Sequence, residues 1–167
     1  MLFAIKRNFD YLSLCGAGIL FAVASLYKQV GALETASLGI FLFLVSKDLV
    51  DFIKKGIVLT FGFVIPYAVT IAYFTPKHLI GDYIFAAYTY YRIYLGESPK
   101  YALLVNILKF LPIITVIAYG FWKKIKGKVN VFHLILLWTA FSFLGSYFSG
   151  RTYGHYLVQA TPALSLI

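Results

Sequence analysis

Long apolar runs constrain this chain more than any other feature. Tyr11–Tyr27, Val30–Val45, Gly56–Phe74, Tyr101–Phe121 and Val129–Phe148 are almost free of charge. A helix needs about 20 mostly apolar residues to cross a bilayer, with a range of about 17–25. The five segments meet or approach that length, the second with local bilayer thinning. A sixth run opens at Ala163 and stops at Ile167, too short to cross. The runs do not alternate with period two, so helices are expected rather than a β-barrel. The expected fold is all-α: a polytopic transmembrane helical bundle with about five full spans plus the start of a sixth. It is expected to form one transmembrane domain over residues 1–167. The interrupted sixth run leads us to expect a fragment of a larger membrane protein.

Composition excludes the main alternatives. The chain is 61% hydrophobic, 19% aromatic and 13% charged, with a mean hydropathy of +0.83. Soluble domains are about 45–50% apolar and about 25% charged. Disorder requires low hydrophobicity and high net charge. The formal charge of +9 would suggest nucleic acid in a soluble protein. Here the cations fall between the apolar runs, where orientation signals and headgroup contacts belong, so no nucleic acid partner is expected. Cys15 is alone, which excludes a disulfide framework.

The loops set an orientation. Lys6, Arg7, Lys47, Lys54, Lys55, Lys123, Lys124, Lys126 and Lys128 fall on one side. Lys28, Lys77, Arg92, Lys100 and Arg151 fall on the other. The positive-inside rule puts the first set, and the N-terminus, in the cytoplasm. Lys6, Arg7 and Ala22-Val23-Ala24 resemble a secretory signal, but a second apolar run follows at once, as in a helical hairpin.

Four features could carry chemistry. The outer segment Thr75–Lys100 holds Tyr83, Phe85, Tyr88, Tyr90, Tyr91 and Tyr94 with Asp82, Arg92 and Glu97. Leu79–Leu95 is expected to form a helix in the outer interface, either as an aromatic belt or as the floor or lid of a site. Lys28 and Gln29 sit in a tight outer connection, where Lys28 either snorkels or binds an anion such as a lipid phosphate. Gly150-Arg151-Thr152-Tyr153-Gly154-His155-Tyr156, with Gln159 and Pro162, concentrates hydrogen-bond donors at headgroup depth; arginine's planar fork suits phosphate oxygens. Lys109, beside Asn106, is an ionisable group within a span. His78, His133 and His155 are far apart, and no zinc, phosphate-loop or dinucleotide motif is present. No metal or other cofactor is expected.

Gly16-Ala17-Gly18, the apolar run to Tyr27, Lys28-Gln29 and the second run resemble the middle of a multi-pass membrane glycosyltransferase. The family is the dolichyl-phosphate-mannose–protein mannosyltransferase-like group of the glycosyltransferase-C superfamily, whose members include the aminoarabinose transferases of lipid A. The Gly150–Pro162 run is similar to a late outer-loop motif of many bacterial members. The resemblance implies transfer of a sugar from a polyprenyl-phosphate-linked donor on the extracytoplasmic side of a prokaryotic plasma (inner) membrane. It implies a lipid-phosphate and sugar site at Lys28, Arg151, Tyr153, His155 and Tyr156, with Gln29, Arg92, Lys109 and Gln159 as weaker candidates. The family's catalytic acid lies in a first outer loop that nothing here matches, so the fragment alone is expected to be inactive. Glu34 stands in a different context and is not assigned that role. A transporter or flippase-like protein and a non-catalytic scaffold subunit remain the alternatives.

Overall fold

The computed structural model describes Ile5, residues 8–90 and 102–147, Val158 and residues 160–166. Among the described residues the structure is helical, without a strand. In chain order it comprises α1 (Tyr11–Tyr27), α2 (Gly31–Val45), α3 (Leu49–Phe74), a 3₁₀ turn (Thr75–Lys77), α4 (Ile80–Ile84) and a π-helical turn (Phe85–Thr89). Then follow α5 (Ala102–Ile125), α6 (Val131–Tyr147) and α7 (Thr161–Leu164).

The helix starts follow from local chemistry. Asp10 accepts from the Ser13 amide at 2.8 Å to cap α1, and Asp48 accepts from the Asp51 amide at 2.7 Å to cap α3. The Lys55 ammonium reaches Asp51 at 2.8 Å one turn along α3. Lys54 and Lys55 therefore fall inside a helix that begins before the apolar run.

The expectation of five full spans is corrected. Among the described residues one helix, Leu49–Lys77 with its 3₁₀ end, is long and apolar enough to cross a membrane: 29 residues at a mean hydropathy of 2.0. Helices α1 and α6 have 17 residues each and α2 has 15. At about 1.5 Å per residue they reach roughly 22–26 Å, short of a hydrocarbon core of about 30 Å. The apolar runs are cut by tight connections at Lys28–Val30 and Ser46–Asp48, and hydropathy alone does not register where the helices stop. The sixth run belongs to α7, a single turn.

Packing starts from one close crossing. Helix α1 lies against α3 more extensively than any other pair. A Cβ on Gly18 would overlap the Leu59 carbonyl, and one on Gly62 would overlap the Cys15 carbonyl. Only glycine at both positions lets the two backbones touch. The Ser25 and Tyr67 hydroxyls meet at 2.6 Å further along both helices, so α1 and α3 run in the same direction. Around this pair Leu14, Ala17, Phe21, Leu38, Phe41, Leu42, Leu59, Leu134 and Leu137 form a core. Ile113, Ala140, Phe141 and Leu144 extend it between α5 and α6. Two buried serines are satisfied within their own helices: Ser37 donates to the Glu34 carbonyl at 2.7 Å and Ser146 to the Ser142 carbonyl at 2.9 Å.

Large apolar side chains also lie on the outside. Ile57, Phe61 and Val69 of α3 are each more than 60% exposed, and only 11% of the most apolar stretch of α3 is buried. A core helix of a soluble protein would show the opposite.

Replacing Gly62 or Gly18 with Val should separate α1 from α3 and cost about 1–3 kcal/mol, as overpacking does. Gly16, with nothing within 4 Å of its added Cβ, should accept Ala without loss. Thermal unfolding of the detergent-solubilised variants checks both expectations.

Candidate functional site

Two elements distant in sequence enclose a cavity at the C-terminal end of α1. The connection from α1 to α2 supplies Tyr27, Lys28, Gln29 and Val30; the segment after α3 supplies Tyr83, Ala86, Ala87 and Tyr88. The space is about 360 Å³, within the usual range for a small-molecule pocket.

Local structure explains how these groups meet. The α1–α2 turn is closed by backbone bonds from Lys28 N–H to the Ala24 carbonyl (2.9 Å) and from Gly31 N–H to the Lys28 carbonyl (2.8 Å). It presents Lys28 and Gln29 at the helix end. On the other side, His78 adopts a left-handed conformation at φ 56° and ends the 3₁₀ turn. The chain then folds back so that Tyr83 stacks on Phe74 at 5.2 Å, and Tyr88 meets Tyr83 edge-on at 6.4 Å. The π-helical turn Phe85–Thr89 widens the backbone where Ala86 and Ala87 line the cavity. Such single-turn π segments recur at functional sites.

The polar lining is graded. Lys28 is a compact cation. Gln29 offers amide donors and an acceptor. Ser25 is tied to Tyr67. Burial, and then the neighbouring Tyr67 and Tyr83 hydroxyls, hold the Tyr88 hydroxyl above the ordinary tyrosine range. A hydroxyl kept protonated remains a hydrogen-bond donor. Among the described lining residues Lys28 is the one cation, with neutral donors around it, a combination that can accept an anion.

The structure thus brings Lys28 and Gln29 together with the tyrosine-rich outer segment. Of the helix expected over Leu79–Leu95, the described part is α4 followed by the π turn rather than one regular α-helix. Arg92, Arg151, Tyr153, His155, Tyr156 and Gln159 lie outside the described residues. Lys109 lies on α5, with its side chain outside the described set. Ser25 and Tyr67 had no signal in the sequence, being a serine within an apolar run and a tyrosine after Pro66.

A second polar contact was also missed. The Ser142 hydroxyl of α6 donates to the Glu34 carboxylate of α2 at 3.3 Å. It places the acid of α2 against another helix. Among the described residues no group of His, Cys, Asp and Glu could hold a metal ion.

The raised Tyr88 value has a pH consequence. The folded state favours the protonated hydroxyl, so this contribution is intact below the ordinary tyrosine value of about 10 and fades as pH climbs toward the higher folded value. Ultraviolet titration should show one tyrosine lagging the rest, and Tyr88→Phe should remove the lagging fraction.

No family model matches the chain, and no curated protein or solved structure matches it.

Proposed function

We propose that the cavity beside Lys28 receives the phosphate of a polyprenyl-phosphate-linked sugar, and that the chain is part of a membrane glycosyltransferase of the kind it resembles in sequence. The observation that carries this reading is the meeting of Lys28 and Gln29 with Tyr83 and Tyr88 in the lining of one cavity, at the same end of the bundle as the C-terminus of the spanning helix. In this reading Lys28 neutralises the lipid phosphate, whose charge grows as the sugar–phosphate bond breaks. Gln29 and the tyrosines orient the phosphate or sugar by hydrogen bonds. Arg151, Tyr153, His155 and Tyr156 are the proposed second half of the phosphate site. The catalytic carboxylate is not assigned to any residue of this chain.

The accompanying location is an integral, multi-pass position in the plasma membrane of a prokaryote, with the N-terminus cytoplasmic. The exposed apolar face of α3 and the gathering of lysines at the opposite end from the cavity support it.

One observation favours a second reading, a transporter or flippase-like protein. Glu34 reaches Ser142 across a helix–helix interface, and an ionisable group among membrane helices commonly marks a solute or ion path. That reading expects uptake into vesicles in the absence of any lipid-linked sugar, and its loss in Glu34→Gln.

For the transferase reading, the solubilised protein should bind a short-chain polyprenyl phosphate more tightly than the matching polyprenol. Lys28→Gln should weaken phosphate binding about tenfold, equivalent to about 1.4 kcal/mol, with little effect on the alcohol. Equal binding of phosphate and alcohol by the unaltered protein would remove the assignment.

A further inference from the structure

The end of the bundle opposite the cavity is assembled around Phe43. Its ring meets Phe52 of α3 edge-on at 5.1 Å and Phe121 of α5 at 5.6 Å. These contacts bring the α2–α3 connection beside the end of α5. Lys47, Lys54 and Lys55 thereby join Lys123, Lys124, Lys126 and Lys128 at one end of the molecule.

Helix α5 stops in a way that displays its lysines. Gly127 takes φ 63°, and the Lys128 N–H bonds the Lys123 carbonyl while the Gly127 N–H bonds the Lys124 carbonyl, each at 2.9 Å. This is a Schellman closure, which needs a residue at ease in the left-handed region. Lys124 turns inward and donates to the Phe43 carbonyl in the last turn of α2, supplying a cation where α2 has no basic residue in its own last turn. Lys123 and Lys126 instead lie over the Trp122 ring at 5.1 and 4.0 Å.

The nearby acids are committed elsewhere. Asp10 and Asp48 cap helices, and Asp51 holds Lys55. Among the described residues no carboxylate pairs with Lys123, Lys126 or Lys128. Between these cations stand exposed apolar groups, Trp122 at 47% and Ile125 at 85%. A nucleic acid or an acidic protein would answer the lysines and leave Ile125 in water. A lipid surface answers both, with phosphates for the ammonium groups and acyl chains for the apolar side chains.

We propose that the α5 terminus, with Trp122, Lys123, Ile125, Lys126 and Lys128, is a binding site for anionic phospholipid headgroups, and that it selects them over zwitterionic lipid. The inference rests on the membrane reading above but not on the transferase assignment.

The chain has two tryptophans, so Trp138→Phe leaves Trp122 as the only reporter. That protein is reconstituted in vesicles of phosphatidylcholine and phosphatidylglycerol in equal parts, with brominated chains on one lipid or the other. Trp122 should be quenched at least about twofold more strongly when the anionic lipid carries the bromine, and raised salt should reduce the difference. Lys123→Gln, Lys126→Gln and Lys128→Gln together should bring the ratio to about one, with helicity retained because Lys124 is untouched. Equal quenching by both lipids, or a preference that survives the triple change, would overturn the proposal. Absence of quenching by either lipid would overturn it together with the membrane reading.

Discussion

The backbone contact between Gly18 and Gly62 is the constraint on which the rest of the structure depends. Neither position has room for a Cβ, so α1 and α3 approach until peptide groups touch. Close van der Waals packing, with the Ser25–Tyr67 hydroxyl contact at 2.6 Å, holds the pair together. The crossing sets α1 parallel to α3 and brings Ser25 within reach of Tyr67. It also determines which end of α1 lies near the segment that follows α3. The cavity beside Lys28 is therefore a consequence of helix packing rather than of any local motif.

The two ends of the bundle are chemically unlike. One end holds a cavity lined, among the described residues, by Lys28 together with tyrosines, a combination suited to a bound anion. The other holds clustered lysines over aromatic rings, suited to a surface of many anions. Lys124 shows how the second end keeps its order: bonding to the Phe43 carbonyl, it ties α5 to α2 and leaves its neighbours outward. Three lysines thus show how differently one residue type is placed: Lys28 lines a cavity, Lys124 bonds a helix-end carbonyl and Lys126 lies over Trp122 at the surface.

Some of this organisation was legible in the chain before folding was considered. Helix α1 coincides with its apolar run, because Asp10 caps one end and Lys28 closes the other. Helix α3 begins seven residues earlier than its apolar run, since counting hydropathy ignores a cap at Asp48 and a lysine paired one turn from Asp51. Lys28 and Gln29 stood out as polar residues in a very short connection, and the tyrosines as an aromatic cluster. Ser25 and Tyr67 did not, because they are 42 positions apart and each is ordinary in its own stretch. Glu34 and Ser142, separated by 108 positions, were hidden for the same reason.

Composition and patterning by themselves determined that the chain is helical, that its helices are rich in apolar side chains and that its cations fall into two groups. These are properties of short stretches, governed by side-chain hydropathy and helix propensity, and they need no knowledge of what packs on what. Tertiary structure decided the helix lengths, the number of helices long enough to span, the parallel crossing at Gly18 and Gly62, and the joining of Lys28 to Tyr83 and Tyr88. Those depend on steric contacts between residues remote in sequence, and a linear pattern of apolar and polar positions carries no information about which remote pair will touch.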